Sequence, residues 1–182
     1  MAETLPDGGV KPDETVNDCM NGTMDSVVIR PLRAEETPLL DDFLYEAIWQ
    51  PDPGRRVPRE VLRAPELRIY VEGFGSRETD CGLVAETDGR VVGAVWSRCL
   101  QGFGWTGETI PELAVALYPD FRGQGIGTRL VQALLDELRN RDFAAVSLSV
   151  QRSNPAGRLY LRLGFRIVGE HAEEWVMRCE LR

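Results

Sequence analysis

A chain of 182 residues, 43% hydrophobic and 27% charged, has the composition of one soluble globular domain, large enough to bury a core without disulfide or metal staples. No run approaches the ~20 apolar residues of a membrane-spanning helix, the first residues do not read as a secretory signal, and Cys19, Cys81, Cys99 and Cys179 are too scattered for a metal or redox pair. The net charge of −8 offers no basic footprint for nucleic acid, so a cytoplasmic protein without metal, nucleic-acid or membrane partner is expected.

Residues 1–25 hold six acids against the single lysine, Lys11, together with Pro6, Gly8, Gly9 and Pro12, and read as a flexible acidic tail. The domain then spans 26–182. Val27, Val28 and Ile29, closed by Pro31, predict a first strand. Leu39, Leu40, Phe43, Leu44, Ala47 and Ile48 recur at helical spacing and predict a helix over 34–49, and a second helical piece is expected over 59–72. Two strand-like runs, 81–87 and 90–98, are joined by Asp88 and Gly89, a two-residue turn that suits strand twist. A glycine-rich loop with Phe103 and Trp105 leads to alternating residues over 112–117, and Leu130, Val131, Leu134, Leu135 and Leu138 then mark an amphipathic helix ending near Arg141. A strand over 144–150, a helix over 154–163 ending at Gly164, and strands over 165–169 and 175–181 complete the chain. This order predicts an α+β fold, a mixed sheet covered by helices, and not a doubly wound one.

Between the fourth strand and the long helix lies Tyr118, Pro119, Asp120, Phe121, Arg122, Gly123, Gln124, Gly125, Ile126, Gly127, Thr128. Glycines two apart let the backbone turn tightly and present N–H groups at a helix start, whose partial positive charge attracts anions. No acid occurs between Arg122 and Leu135, which suits a bound phosphate or pyrophosphate. A glycine triplet taken alone also fits a purely geometric connection. The spacing is neither that of a dinucleotide fold nor that of a triphosphate loop.

In that setting Arg122, Gly123, Gln124, Gly125, Ile126, Gly127 resembles the pyrophosphate loop R/Q-x-x-G-x-G/A of the GNAT acetyltransferase superfamily. Asn154, Pro155, Ala156, then Leu159, Tyr160 and Leu163, Gly164, Phe165 resemble its N-P-A…L-Y…L-G-F segment. The resemblance follows the order of elements over 26–181. It implies a splayed, mostly antiparallel sheet flanked by helices, with acetyl-CoA as cosubstrate in the gap between the strands at 112–117 and 144–150. Val115, Ala116 and Leu117 would bind the pantetheine arm, Arg122 to Thr128 the pyrophosphate, and Asn154 would contact the pantetheine or help shape the cleft. Asn154 also reads as an N-cap for the helix that follows.

Acetyl transfer to an amine needs a neutral nucleophile, stabilisation of the oxyanion and a proton for the departing sulfur. The resemblance places Tyr160 as the acid and Glu112 as the base; helix packing is the plain reading of the first and a solvated carboxylate of the second. Glu108 and His171 are further base candidates, and His171 reads as an exposed turn residue. Alternation sets Glu112 on one face with Ala114 and Ala116, opposite Val115 and Leu117. Ser149 stands where relatives that acetylate protein N-termini often have glutamate, which favours a small-molecule amine acceptor over a protein. A non-catalytic acyl-CoA-binding sensor or interaction module is the competing class, and an exposed terminal strand would allow a homodimer.

Overall fold

Among the described residues seven strands form one sheet in the order β1-β2-β3-β4-β5-β7-β6, in which β4 and β5 are the only parallel neighbours. In this computed structural model residues 27–52, 54 and 56–182 are described, so the acidic tail expected over 1–25, and Ser26, lie outside the described residues. The strands are β1 (Val28–Pro31), β2 (Cys81–Thr87), β3 (Arg90–Arg98), β4 (Glu112–Leu117), β5 (Ala145–Gln151), β6 (Arg166–His171) and β7 (Glu174–Glu180). The helices are α1 (Leu39–Ala47), α2 (Pro65–Arg68), α3 (Ile126–Asn140) and α4 (Ala156–Arg162). Among the described residues no helix is long and apolar enough to cross a membrane, and Cys81, Cys99 and Cys179 are free thiols.

The hairpin of β2 and β3 forms where the sequence places it, with Asp88 at φ 50° and Gly89 at φ 73° giving the two positive angles that such a turn requires. Two helical expectations are corrected, and proline explains both. The run from 34 to 49 splits at Pro38 into a 3-10 turn (Ala34–Glu36) and α1, which ends at Ile48 in extended conformation. The run over 59–72 breaks where Ala64, at φ −61° and ψ 129°, precedes Pro65, because proline disfavours helical geometry in the residue before it. What remains is a 3-10 turn (Arg59–Arg63) and the four residues of α2.

The sheet divides the core into two layers. On one face α3 packs Ile126, Leu130, Val131, Leu134, Leu135 and Leu138 against β2 and β3, and α4 packs against β5. Each of these α3 side chains is essentially sealed from water, worth roughly 1.5–3 kcal/mol apiece. On the other face α1 brings Leu40, Phe43 and Leu44 onto β4, alongside Tyr70, Trp96 and Ala116. Strand β4 serves both layers by alternation: Leu113, Val115 and Leu117 join the α3 side, Ala114 and Ala116 the α1 side. β4 and β5 pair only at Glu112 and Ser147, and beyond that point the strands part.

Candidate active site

The gap between β4 and β5 starts from a single bridge, in which the Ser147 N–H donates to the Pro111 carbonyl at 2.9 Å. Because backbone groups alternate along a strand, the residues in phase with Pro111 turn their polar groups to the gap, and these are Val115 and Leu117. Ala116 points its carbonyl towards β3, 3.1 Å from where a Cβ on Gly93 would stand. Of the three β4 residues expected to bind the pantetheine arm, Ala116 is thus the one whose backbone polar groups belong to the sheet.

At the end of β4 the chain turns through Pro119–Phe121 into the glycine segment, where Gly123 (φ 75°) and Gly125 (φ 77°) hold left-handed conformations that place Gly125 at the head of α3. That helix has neither a side-chain cap nor an acid in its first turn, and its bonding begins with the Arg129 N–H on the Gly125 carbonyl. The N–H groups of Ile126, Gly127 and Thr128 therefore stand at the positive end of a 15-residue helix, open to an anion. The side chains nearby hold the loop. Arg122 donates to the Leu117 carbonyl at 3.0 Å and pairs with Glu46 of α1 at 2.7 Å, and Gln124 donates to the Asp120 carbonyl at 2.9 Å.

Past β5, Asn154 accepts from the Ala156 N–H at 2.9 Å, the capping role that its residue type allows. The far end of α4 explains the Leu163, Gly164, Phe165 pattern physically. Gly164 adopts φ 92°, the Phe165 N–H donates back to the Tyr160 carbonyl at 3.0 Å, and the Phe165 ring meets the Tyr160 ring edge-on at 5.7 Å. This is a Schellman ending with its hydrophobic contact, and it fixes the direction of Tyr160. The Tyr160 hydroxyl has no hydrogen-bond partner among the described residues, and burial pushes its pKa up to about 12, so the phenol keeps its proton at neutral pH.

Glu112 lies on the opposite face, only 3% exposed. Its Oε1 accepts from the Tyr70 hydroxyl and, at 2.8 Å, from the Gly104 N–H, while the Phe103 N–H donates to the Tyr70 oxygen at 3.0 Å. Its Oε2 is enclosed and has no hydrogen-bond partner among the described residues. Burial raises the carboxyl to about 7, against the opposing pull of these two donors, and the charge of Glu174 adds to the rise. The loop over this group is glycine-built by necessity: a Cβ on Gly102 would stand 2.7 Å from Oε2, and one on Gly104 would stand 2.6 Å from the Ser149 nitrogen.

A family model described as Acetyltransferase (GNAT) family matches residues 42–165. The chain belongs to this family. It is 36% identical over 117 residues to an uncharacterised N-acetyltransferase of Methanocaldococcus jannaschii, covering 63% of this chain and 71% of that one. It is 31% identical over 131 residues to the L-2,4-diaminobutyric acid acetyltransferase of Nocardia farcinica, covering 61% and 65%. Of the mycothiol acetyltransferases of Acidimicrobium ferrooxidans and Cellulomonas flavigena, which it also matches, the chain spans about a third of the length. The crystal structure of PaiA N-acetyltransferase from Thermoplasma acidophilum in complex with coenzyme A superposes with a TM-score of 0.64 at 18% identity, covering 85% of this chain and 99% of that one, a likeness of fold.

As a GNAT family member the chain is an acetyl-CoA-dependent N-acetyltransferase, with the splayed, mostly antiparallel sheet that the resemblance implies. Glu112 sits on the same side as Ala116, as alternation requires, and Tyr160 on the other side of the sheet. Ser149 donates to Glu174 Oε2 at 2.5 Å, so β7 restores a carboxylate beside the position where β5 has serine. His171 is exposed at the end of β6 and Glu108 is exposed in the loop before β4. Sequence reasoning missed Tyr70 and Glu174. Tyr70 has no local signal beyond its place in an expected helix, and Glu174 reaches Ser149 only through the pairing of β5 with β7.

Proposed function

We propose that this acetyltransferase moves the acetyl group to a primary amine on a small molecule by direct attack within a ternary complex, with Glu112 as base and Tyr160 as acid. The observation that carries the reading is the buried Glu112 carboxyl, lifted to about 7 and with one oxygen unpartnered, at the point where β4 and β5 part. A base of that strength is matched to a cell's pH.

The residues present suit acetyl-CoA. Val115 and Leu117 offer a strand edge to an amide-bearing arm, and the start of α3 offers its N–H groups to a pyrophosphate. When bound, acetyl-CoA supplies an activated thioester. Glu112 takes the amine proton, directly or through one water, as the nitrogen bonds the acetyl carbon. Tyr160 gives its proton to the sulfur as the carbon–sulfur bond breaks. The opposite faces of the sheet keep base and acid apart, one towards the acceptor and the other towards the coenzyme. Phe103 and Trp105, 43% and 44% exposed on the loop that covers Glu112, offer aromatic surface, and Glu174 adds negative charge that favours an ammonium-bearing acceptor. The diaminobutyric acid acetyltransferase among its relatives supports an acceptor of that size.

Thermal unfolding with acetyl-CoA, free CoA or ATP tests the cosubstrate, because a ligand at 100 times its Kd stabilises by about 2.7 kcal/mol, a rise of roughly 5–10 °C at this chain length. A panel of amines then reads turnover as released thiol. Binding of acetyl-CoA with no turnover across monoamines, diamines and amino acids would return the chain to the non-catalytic acyl-CoA-binding class. A homodimer would form along β6, an edge strand on which Ile167 and Val168 are exposed; a monomer by light scattering removes it.

A further inference from the structure

Among the described residues no arginine forms an ion pair with Glu112. Arg98 is its direct cross-strand partner on β3. The guanidinium nevertheless turns away, to Asp80 at 2.9 and 3.0 Å and to the carbonyls of Ile69, Glu72 and Gly73, with both members of the ion pair 2% exposed. From β7, Glu174 adds a like charge, and Arg178, opposite Ser147, is paired with Glu180 at 2.8 Å. From β5 come only the hydroxyls of Ser147 and Ser149. Among the described residues the one side chain that donates to Glu112 is Tyr70, whose own proton is held firmly because burial and the carboxylate both raise its pKa.

Tyr70 is in turn anchored. Trp96 donates its indole N–H to the Tyr70 carbonyl at 3.2 Å, and Arg98 grips the carbonyls on both sides of it in sequence. The buried Arg98–Asp80 pair thus fixes the short segment after α2 against β3 and aims the phenol at β4.

We propose that Tyr70 is a positioning residue for the reaction: its hydroxyl holds Oε1 of Glu112 and leaves Oε2 as the oxygen without a protein donor. The proposal rests on the reading of Glu112 as base. Because the hydrogen bond favours the ionised carboxyl, it also keeps that carboxyl available as a base at neutral pH.

The test is a pH titration of the full chain labelled with glutamate carrying 13C at the side-chain carboxyl, followed by NMR, with the Glu112 resonance assigned by its absence from Glu112→Gln. Wild type is expected to titrate near pH 7. In Tyr70→Phe the midpoint is expected to rise by about one pH unit. A midpoint that stays in place or falls overturns the proposal. Where Tyr70→Phe does not fold, 3,5-difluorotyrosine at position 70 keeps the shape and donates more strongly: a lowered midpoint supports the proposal and an unchanged one overturns it. The base reading fails separately, when Glu112→Gln keeps wild-type turnover in the amine panel.

Discussion

The two halves of the site are built by different means. The cradle at the head of α3 is made of backbone: consecutive residues, two glycines with positive φ, and a helix end left without cap or acid. The proposed base is built from groups far apart in sequence: the Tyr70 phenol after α2, the Gly104 N–H in the loop before β4, the Glu112 carboxyl of β4 and the charge of Glu174 on β7. The proposed cradle would hold charge that a ligand brings, at the wet end of a helix. The proposed base, Glu112, carries its own charge, and burial makes that charge costly. Binding can therefore be written into a short stretch of chain, whereas a tuned carboxyl needs the whole fold around it.

This division gives the mutations distinct signatures. Glu112→Gln keeps the shape of the pocket and removes the proton acceptor, so kcat is expected to fall on the order of a thousandfold while acetyl-CoA affinity by calorimetry stays within about twofold. Comparable losses in both would mean that the two halves are not separable. Tyr160→Phe keeps the ring contact with Phe165 and removes the donor, for a fall of about a hundredfold in kcat, read in the same steady-state assay. Gly125→Glu acts on the other half: a side chain is strained at φ 77°, and the new carboxylate opposes the positive end of α3. About thirtyfold weaker acetyl-CoA binding, with Glu112 still titrating near 7, is the expected result. Undiminished affinity would show that the cradle is only a turn.

The same division decides what the sequence discloses. The cradle, the hairpin at Asp88 and Gly89, and α3 with its stripe of leucines are legible because neighbours in sequence are neighbours in space. Tyr160 is legible as well, since the Gly164 ending that aims it lies within five residues. Glu112 can be placed on the correct face by alternation, but its environment cannot be read. Its donors come from 42 and 8 residues away, and the glutamate that raises its pKa stands on a strand 62 positions later. Arg98 sharpens the point. Pairing across β3 and β4 alone would suggest an ion pair with Glu112, and only the fold shows the guanidinium held by Asp80 and three carbonyls. The segment read as a helix over 59–72 fails for a local reason, a proline whose effect on the preceding residue outweighs apolar spacing.

The smallest expected effect concerns stability. Glu112 in the folded chain binds its proton up to about pH 7, whereas in the unfolded chain it releases it near 4.5. Between those values the native state holds the extra proton, so this group's contribution to stability is complete below about 4.5 and is lost as the pH rises through 7. The Gln variant has no such proton. Urea unfolding at pH 5 and pH 8 is therefore expected to show wild type losing about 2 kcal/mol relative to Glu112→Gln over that interval. Parallel stability curves for the two proteins would mean that the carboxyl is not held as a weak acid. A converging pair, with the inactive variant the less sensitive to alkali, would show that the fold gives up stability at neutral pH in order to keep a base there.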